Sequence, residues 1–431
     1  MKVSLLTLGC KVNQVESEYL KEEFRGRGYE VLDSINVPAD IYVVNTCTVT
    51  HVSDRKSRSL LRRLIRANPE AMVVATGCLA QVGAEQLAQI ENIGLVVDNR
   101  NKKRLVDLVT EKVARDGIGG TAVNSGKEKE DSAQPVIGRD NKARQRAFIK
   151  IQEGCQNFCS YCIVPYARGP VRSKPAREIL REIAGLSRSG YGEVVLTGIN
   201  IGAYGGDLTD WDLTKLLSFL LKEMPPGMRL RLSSLEPMEV KNEILELMRQ
   251  NKRFCRHLHI PLQSGSDTIL KAMNRRYTRK FYSGLVEKIV RAIPGIAVCS
   301  DVMVGFPGET EGDYQDTAHL LSDLPVSELH VFKYSPRPGT AAAGLPARVP
   351  EEIKNRRSGE LILISGAKNK HFRGTQIGKD LELLVEKKIE WERYTGRSDN
   401  YLEFEFTSSA DYRGHLIKAR IVGHYEGNIV I

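Results

Sequence analysis

Apolar and polar positions alternate along this chain in three successive styles. In the first hundred residues, short β-branched runs at 3–9, 41–46 and 72–77 each end in small or turn-prone residues. Helical stretches near 16–27 and 53–67 separate them. This βαβαβ pattern predicts a parallel, helix-covered sheet in a domain over 1–115. Between 116 and 143 the periodicity lapses, and Gly, Ser, Lys, Glu and Asp dominate, which predicts a linker. Alternation then resumes over 144–372. The runs AFIKIQ, EVVLTG, RLRLSS, HLHIPL, AVCSDVMVGF and ELHVFKY predict six strand–helix repeats. Six repeats suit a partial (β/α)6 barrel with its chemistry at the strand C-termini. From 373 to 431 only short strands remain, so a small OB-like β-barrel closes an α/β chain.

Composition narrows the class. A chain of 431 residues exceeds one ordinary core, which agrees with several domains. No apolar run approaches the roughly 18 to 20 residues of a membrane helix. Residues 1–10 superficially suggest a lipoprotein signal, but the apolar stretch is shorter than the roughly 7 to 15 residues of a signal core. The expectation is a cytoplasmic protein with no membrane partner. The net charge of +10 is unevenly spread. Arg55, Lys56, Arg58, Arg62, Arg63 and Arg66 face Asp54 alone between Thr50 and Ala67. Arg55, Arg58, Arg62 and Arg66 recur at helical spacings and share one face. That face suits a nucleic-acid backbone, or is a solvated helix surface.

Cysteines carry the chemistry. Cys155, Cys159 and Cys162 form a C-x3-C-x2-C triplet just after a predicted strand. A structural zinc site normally takes four protein ligands, and the nearest other cysteines, Cys255 and Cys299, are about a hundred residues away. Three close thiolates suit a [4Fe–4S] cluster whose fourth iron has no protein ligand. Such an iron can chelate an amine and a carboxylate, the groups S-adenosylmethionine (SAM) offers. Cys10, Cys47 and Cys78 each directly follow one of the three N-terminal strands. Parallel strands end at one edge, so these thiols are expected to converge there; three unrelated buried cysteines are the plain alternative. Cys255 and Cys299 show no such pattern and are expected in cores.

The triplet, with Tyr161 before its last cysteine, resembles the radical-SAM superfamily. Nearly the whole chain resembles the methylthiotransferases: a three-cysteine domain, a radical-SAM domain and a terminal TRAM domain. That resemblance implies two [4Fe–4S] clusters. The N-terminal one carries sulfur that a first SAM methylates, while a second SAM yields the radical that removes hydrogen from the substrate carbon. It also implies SAM contacts at Tyr161, Thr197, Gly198, Asn200, Glu236, Gln263 and Ser264, although Gln263 and Ser264 could instead cap a helix near Asp267. It implies, further, a reductant such as flavodoxin or ferredoxin, a sulfur donor, and a tRNA anticodon loop as partner of a monomer. Arg168, Arg172 and Arg276 are candidates for phosphate or SAM carboxylate contacts. In the C-terminal barrel Tyr394, Arg397, Tyr401 and Arg413 are the residues offered to RNA.

Branch motifs point further. Gly9-Cys10-Lys11-Val12-Asn13-Gln14, Asn45-Thr46-Cys47-Thr48-Val49-Thr50 and Ser233-Ser234-Leu235-Glu236-Pro237 resemble the bacterial branch that modifies N6-threonylcarbamoyladenosine at tRNA position 37. The isopentenyladenosine branch usually reads GCQMN at the first motif. Val15 departs from the aromatic expected there. The rivals are isopentenyladenosine or a ribosomal-protein aspartate as substrate, and a non-catalytic iron–sulfur RNA-binding or redox-sensing protein. A cobalamin-dependent methylase is disfavoured, because no Asp-x-His-x-x-Gly signature is present.

Overall fold

The computed structural model describes residues 1–32, 34, 37–116, 122–124, 145–425 and 428–431. The first sheet has six parallel strands: β1 (Lys2–Thr7), β2 (Glu30–Leu32), β3 (Ile41–Thr46), β4 (Met72–Gly77), β5 (Leu95–Val97) and β6 (Ala122–Asn124). Their order is β2-β1-β3-β4-β5-β6. Every residue of β3 and β4 is buried, as covering both faces requires. One face packs on α1 (Lys11–Gly26) through Leu20 and Phe24, and the other on α2 (His51–Ala67) through Leu61 and Leu64.

Two differences from the sequence expectation stand out. The helix expected from residue 16 begins at Lys11, because Cys10 turns the chain directly out of β1. The sheet also gains three strands of only three residues each, too short to show a period. One of them, β6, lies inside the range read as a linker. The remainder of that range, 117–121 and 125–143, lies outside the described residues.

The second unit carries β7 (Arg146–Lys150), β8 (Glu193–Thr197), β9 (Arg229–Leu232), β10 (His257–His259), β11 (Ala297–Val304) and β12 (Glu328–Lys333). All neighbours pair in parallel, and bridges Leu230–Phe254 and Ser234–His259 join the two halves into one open barrel. Ile149, Val194, Leu196, Leu258, Val298, Val302 and Leu329 pack outward on the helices. The alternate residues Phe148, His257, His259, Asp301 and His330 therefore face the lumen.

The N-terminal unit spans the barrel's open side. Glu16 on α1 meets Lys150 at the end of β7. Beyond β12, Arg337 binds Asp54 and Thr48, and Ser335 accepts from the His51 amide.

The last unit has β13 (Asp380–Lys388), β14 (Arg393–Ser398), β15 (Glu403–Thr407), β16 (Leu416–Arg420), β17 (Gly423–Tyr425) and β18 (Asn428–Val430), ordered β16-β13-β14-β15-β18-β17. Its strands surround Leu381, Leu383, Val385, Tyr394, Phe404, Ile421 and Ile429.

This unit docks at the N-terminal end of the barrel strands. Glu193 binds Arg229 at 2.6 Å and Arg231 at 2.7 Å, all three fully buried. The two guanidinium groups also donate to the carbonyls of Glu382, Arg397, Ser398 and Asp399. Tyr401 stacks on His257 at 4.2 Å, so the β domain closes the barrel floor. Burial alone would raise the Glu193 pKa, but Arg231 and Arg229 hold it well below the carboxylate range. Glu193→Gln would leave two buried cations without a counter-charge and should cost about 3–5 kcal/mol. Arg420→Gln, which breaks an exposed pair with Asp380, should cost under about 0.5 kcal/mol. Calorimetric unfolding of both variants checks this contrast; equal losses would contradict it.

Candidate active site

The loop carrying Cys155, Cys159 and Cys162 starts at Gly154, whose φ is +79°. A Cβ there would stand 1.8 Å from the Pro170 carbonyl oxygen, so only glycine lets the loop lie on the 169–170 turn. The Cys155 amide donates to Gly169 at 3.1 Å and the Cys162 amide to Cys159 at 2.9 Å. All three thiols are partly exposed at the C-terminal mouth of the barrel. Burial raises the Cys155 and Cys162 pKa values, the latter to about 12, against the pull of backbone amides at Asn157 and Val164. Arg275 donates to Cys159 Sγ at 3.3 Å and grips both oxygens of Glu236, while Tyr277 accepts from its Nε. Arg275, not its exposed neighbour Arg276, is the cation of this site. The sequence shows two adjacent arginines and no way to choose between them.

The other expected SAM residues have distinct fates. Thr197 is buried at the end of β8. Gly198 is forced by close approach, because a Cβ would sit 2.9 Å from both Gln152 oxygens. Gln152 Oε1 then collects the amides of Ile199 and Asn200. Asn200 donates to Glu239 at 2.8 Å. Burial and the facing Glu236 charge push Glu239 up to about 7 despite that hydrogen bond. Nothing in the sequence singled Glu239 out.

Tyr161 packs beside Met273 and Phe306. Gln263 is fixed at φ +68° by backbone bonds with Asp301 and Met303. Ser264 is fully buried, and its Oγ accepts from the Ser266 amide, so it faces the fold and not the mouth. Ser266, and neither Gln263 nor Ser264, caps the following helix.

Cys10, Cys47 and Cys78 leave the adjacent strands β1, β3 and β4, and their loops are laced together. The Asn13 amide donates to Leu8 and Thr46 carbonyls, and Thr46 Oγ1 donates to Thr76 at 2.5 Å. Gly9 is required because a Cβ would stand 2.8 Å from Cys47 Sγ; Gly77 is required because one would strike the Thr46 carbonyl at 2.4 Å. Cys10 is exposed, while Cys47 and Cys78 are buried. Burial raises the Cys47 pKa, and the Cys78 and Cys10 charges add to that. Cys78 opens helix α3 (Cys78–Val82).

One arginine joins the two cysteine sets. Arg168 ends α4 (Val164–Arg168), the helix that follows Cys162. Its Nε donates to Cys78 Sγ at 3.2 Å, and its Nη atoms bind Glu16, Glu153 at 2.9 Å and Asn13 at 2.5 Å. Lys102 and Lys150 complete the network on Glu16. The sequence offers Arg168 and Arg172 for phosphate contacts, those of RNA included, but the Arg168 side chain is buried and fully engaged.

Tyr394 is corrected in the same way: it is buried in the core of the β domain. Arg397 lies over Tyr401 at 4.3 Å and pairs with Glu403. Arg172 is exposed. Arg55, Arg62 and Arg66 are exposed on α2 and, with Arg58, line an open groove of about 470 Å³. Phe158 and Tyr166, both about half exposed, form an edge-on aromatic pair at the triplet loop that sequence reading missed. Cys255 and Cys299 are buried, as expected.

Each triad is three free thiols, on three strand ends in one case and on one loop in the other, with backbone amides and one buried guanidinium aimed at sulfur. That donor set fits an iron–sulfur cluster, whose irons supply the charge that ionises otherwise reluctant thiols.

Fold and triplet together define a radical-SAM enzyme. The radical SAM superfamily matches residues 149–321, and the uncharacterized protein family UPF0004 matches residues 2–98. A protein of Bacillus subtilis (strain 168), threonylcarbamoyladenosine tRNA methylthiotransferase MtaB, is 39% identical over 97% of this chain and 93% of its own. The tRNA-2-methylthio-N(6)-dimethylallyladenosine synthase of Acetivibrio thermocellus is 33% identical over 99% of this chain and 90% of its own. The cobalamin-bound radical SAM methyltransferase TsrM of Kitasatospora setae aligns with a TM-score of 0.57 at 16% identity, over 79% of this chain and 77% of its own; that likeness is one of fold. The chain belongs to the radical-SAM tRNA methylthiotransferase family.

Arg168 supplies the nearest cation to Glu16, whose pKa is raised by burial but lowered further by Arg168, Lys102 and Lys150. A carboxyl held below its usual value of about 4.3 stabilises the fold above that pH, and the contribution fades as pH falls through the folded value. Arg168→Met should therefore destabilise the protein by about 3–5 kcal/mol. It should also start acid unfolding at higher pH, followed by circular dichroism. Superimposable acid titrations would contradict the role given to this network.

Proposed function

We propose that this enzyme converts N6-threonylcarbamoyladenosine at tRNA position 37 to its 2-methylthio derivative, with SAM and two [4Fe–4S] clusters as cofactors. One observation carries the reading. Two cysteine triads are tied across the domain boundary by Arg168, which ends the helix after Cys162 and donates to Cys78 Sγ at 3.2 Å. The threonylcarbamoyl substrate draws on the greater similarity to the relatives that bear its name than to the dimethylallyl synthases.

Cys155, Cys159 and Cys162 would hold the cluster that cleaves SAM, and Cys10, Cys47 and Cys78 the cluster that carries sulfur; together these groups supply hydrogen removal at carbon and the methylthio group. The chain's own residues bind and orient. Arg275 fixes Glu236 beside Cys159, and Asn200, donating to Glu239, orients that carboxyl as a hydrogen-bonding group. The tight turn at Gly198 leaves backbone close to the mouth, where a small cofactor's polar groups would be received.

Position 37 is in a single-stranded loop, so its base can be splayed out without opening a duplex. The groove on α2 offers cations to the phosphates, and Phe158 and Tyr166 offer stacking surface to exposed bases. The C-terminal β domain acts as a TRAM module that docks tRNA by shape. An external reductant and a sulfur donor complete the cycle. No helix among the described residues is long and apolar enough to cross a membrane.

Reconstituted protein should hold about eight irons. Cys155, Cys159 and Cys162 replaced by Ala should halve that and abolish 5′-deoxyadenosine formation. Replacing Cys10, Cys47 and Cys78 should spare 5′-deoxyadenosine and stop methylthiolation. Four irons in the wild type, or methylthiolation without the N-terminal trio, would contradict the two-cluster scheme. Arg58→Glu with Arg62→Glu should weaken tRNA binding by about tenfold or more at low salt, with a shallower dependence of affinity on salt. Unchanged affinity would make that face solvated surface.

A further inference from the structure

A cation without a counter-charge reaches into the barrel lumen from the residue after Cys10. Lys11 is the first residue of α1 and directly follows Cys10. Its Nζ lies over the ring of Phe148, 5.8 Å from the centroid. Phe148 is the central residue of β7 and faces the lumen, so the Lys11 side chain enters the barrel through its open side. Its charge reaches His257, His330 and Tyr401, all groups of the lumen. Among the described residues it makes no hydrogen bond or ion pair. The carboxylate of that layer, Asp301, is already taken by His259 at 2.8 Å and His330 at 3.3 Å. The Asp301 bond raises the His330 pKa, which adds positive character to the same wall.

An ammonium held half-buried without a partner is costly unless an anion arrives. The substrate proposed above brings one. Its threonyl group ends in a carboxylate, whereas an isopentenyl group is apolar. The geometry of adenine places that group well: C2 and C6 both flank N1. A substituent on N6 therefore leaves from the same ring edge as the carbon that must face the sulfur-bearing triad at Cys10.

Resting on that substrate reading, we infer that Lys11 is a specificity-determining residue, which receives the threonyl carboxylate of the target nucleoside inside the barrel. Recognition then uses both attraction for the acid and, when the acid is absent, the penalty of an unpaired buried charge.

The test is a double-mutant cycle in binding. Its ligands are anticodon stem-loop RNAs with threonylcarbamoyladenosine, its carboxylate methyl ester, or plain adenosine at position 37. Its proteins are cluster-reconstituted wild type, Lys11→Gln and Lys11→Arg, each checked for equal iron content. Esterification should cost the wild type about tenfold in Kd and cost Lys11→Gln nothing. Lys11→Arg should keep the preference for the acid. Equal binding of acid and ester by the wild type, or an equal loss on all three RNAs in Lys11→Gln, would overturn the role of Lys11. Wild-type turnover of the same RNAs, followed by nucleoside mass spectrometry, separates the two levels. Product from the threonylcarbamoyl RNA without acid–ester coupling overturns Lys11 alone, while no product from it removes the substrate reading as well.

Discussion

The Arg168 guanidinium is the constraint on which the rest of this architecture depends. It sits at the end of the short helix that leaves the barrel's cysteine triplet, yet its hydrogen bonds go to the other domain: Asn13, Glu16 and the sulfur of Cys78. Fully desolvated, it requires several fixed acceptors at once, and Glu16 in turn requires Lys102 and Lys150. No member can relax without stranding a buried charge. The relative position of the two triads is therefore held by electrostatics across the interface.

The same logic repeats at the other end of the barrel. Glu193, Arg229 and Arg231 saturate each other and then the backbone carbonyls of the terminal β domain. The lumen is thereby closed at the floor by Tyr401 and at the side by α1, and it opens toward the cysteine loops. Placing reactive groups inside a walled cavity excludes water and sharpens every charge within it. The exposed arginines of α2 lie elsewhere, on its solvent face.

Much of this was legible in residue pattern. The six barrel strands are the six apolar runs read from the sequence, because their outward residues alternate with polar lumen residues. The three N-terminal cysteines do leave neighbouring strands, because parallel strands end at one edge. Short edge strands such as β2 and β6 left no period to read. Side-chain roles were harder. Arg168 and Tyr394 look like RNA contacts in a basic, aromatic stretch, and only the fold shows that both are buried. Arg275 and Glu239 are anonymous until tertiary contacts bring them to Cys159 and Asn200. Lys11 is one letter of a motif in the sequence, and its place in the lumen gives that letter chemical meaning.

The central claim is that this chain holds two iron–sulfur clusters in one frame, one per cysteine triad, on either side of Arg168. An anomalous-difference map at the iron edge from crystals of anaerobically reconstituted protein tests it most directly. The account predicts two separate iron peaks, one against Cys10, Cys47 and Cys78 and one against Cys155, Cys159 and Cys162. A single peak at the barrel triplet, with the N-terminal thiols free, would contradict it.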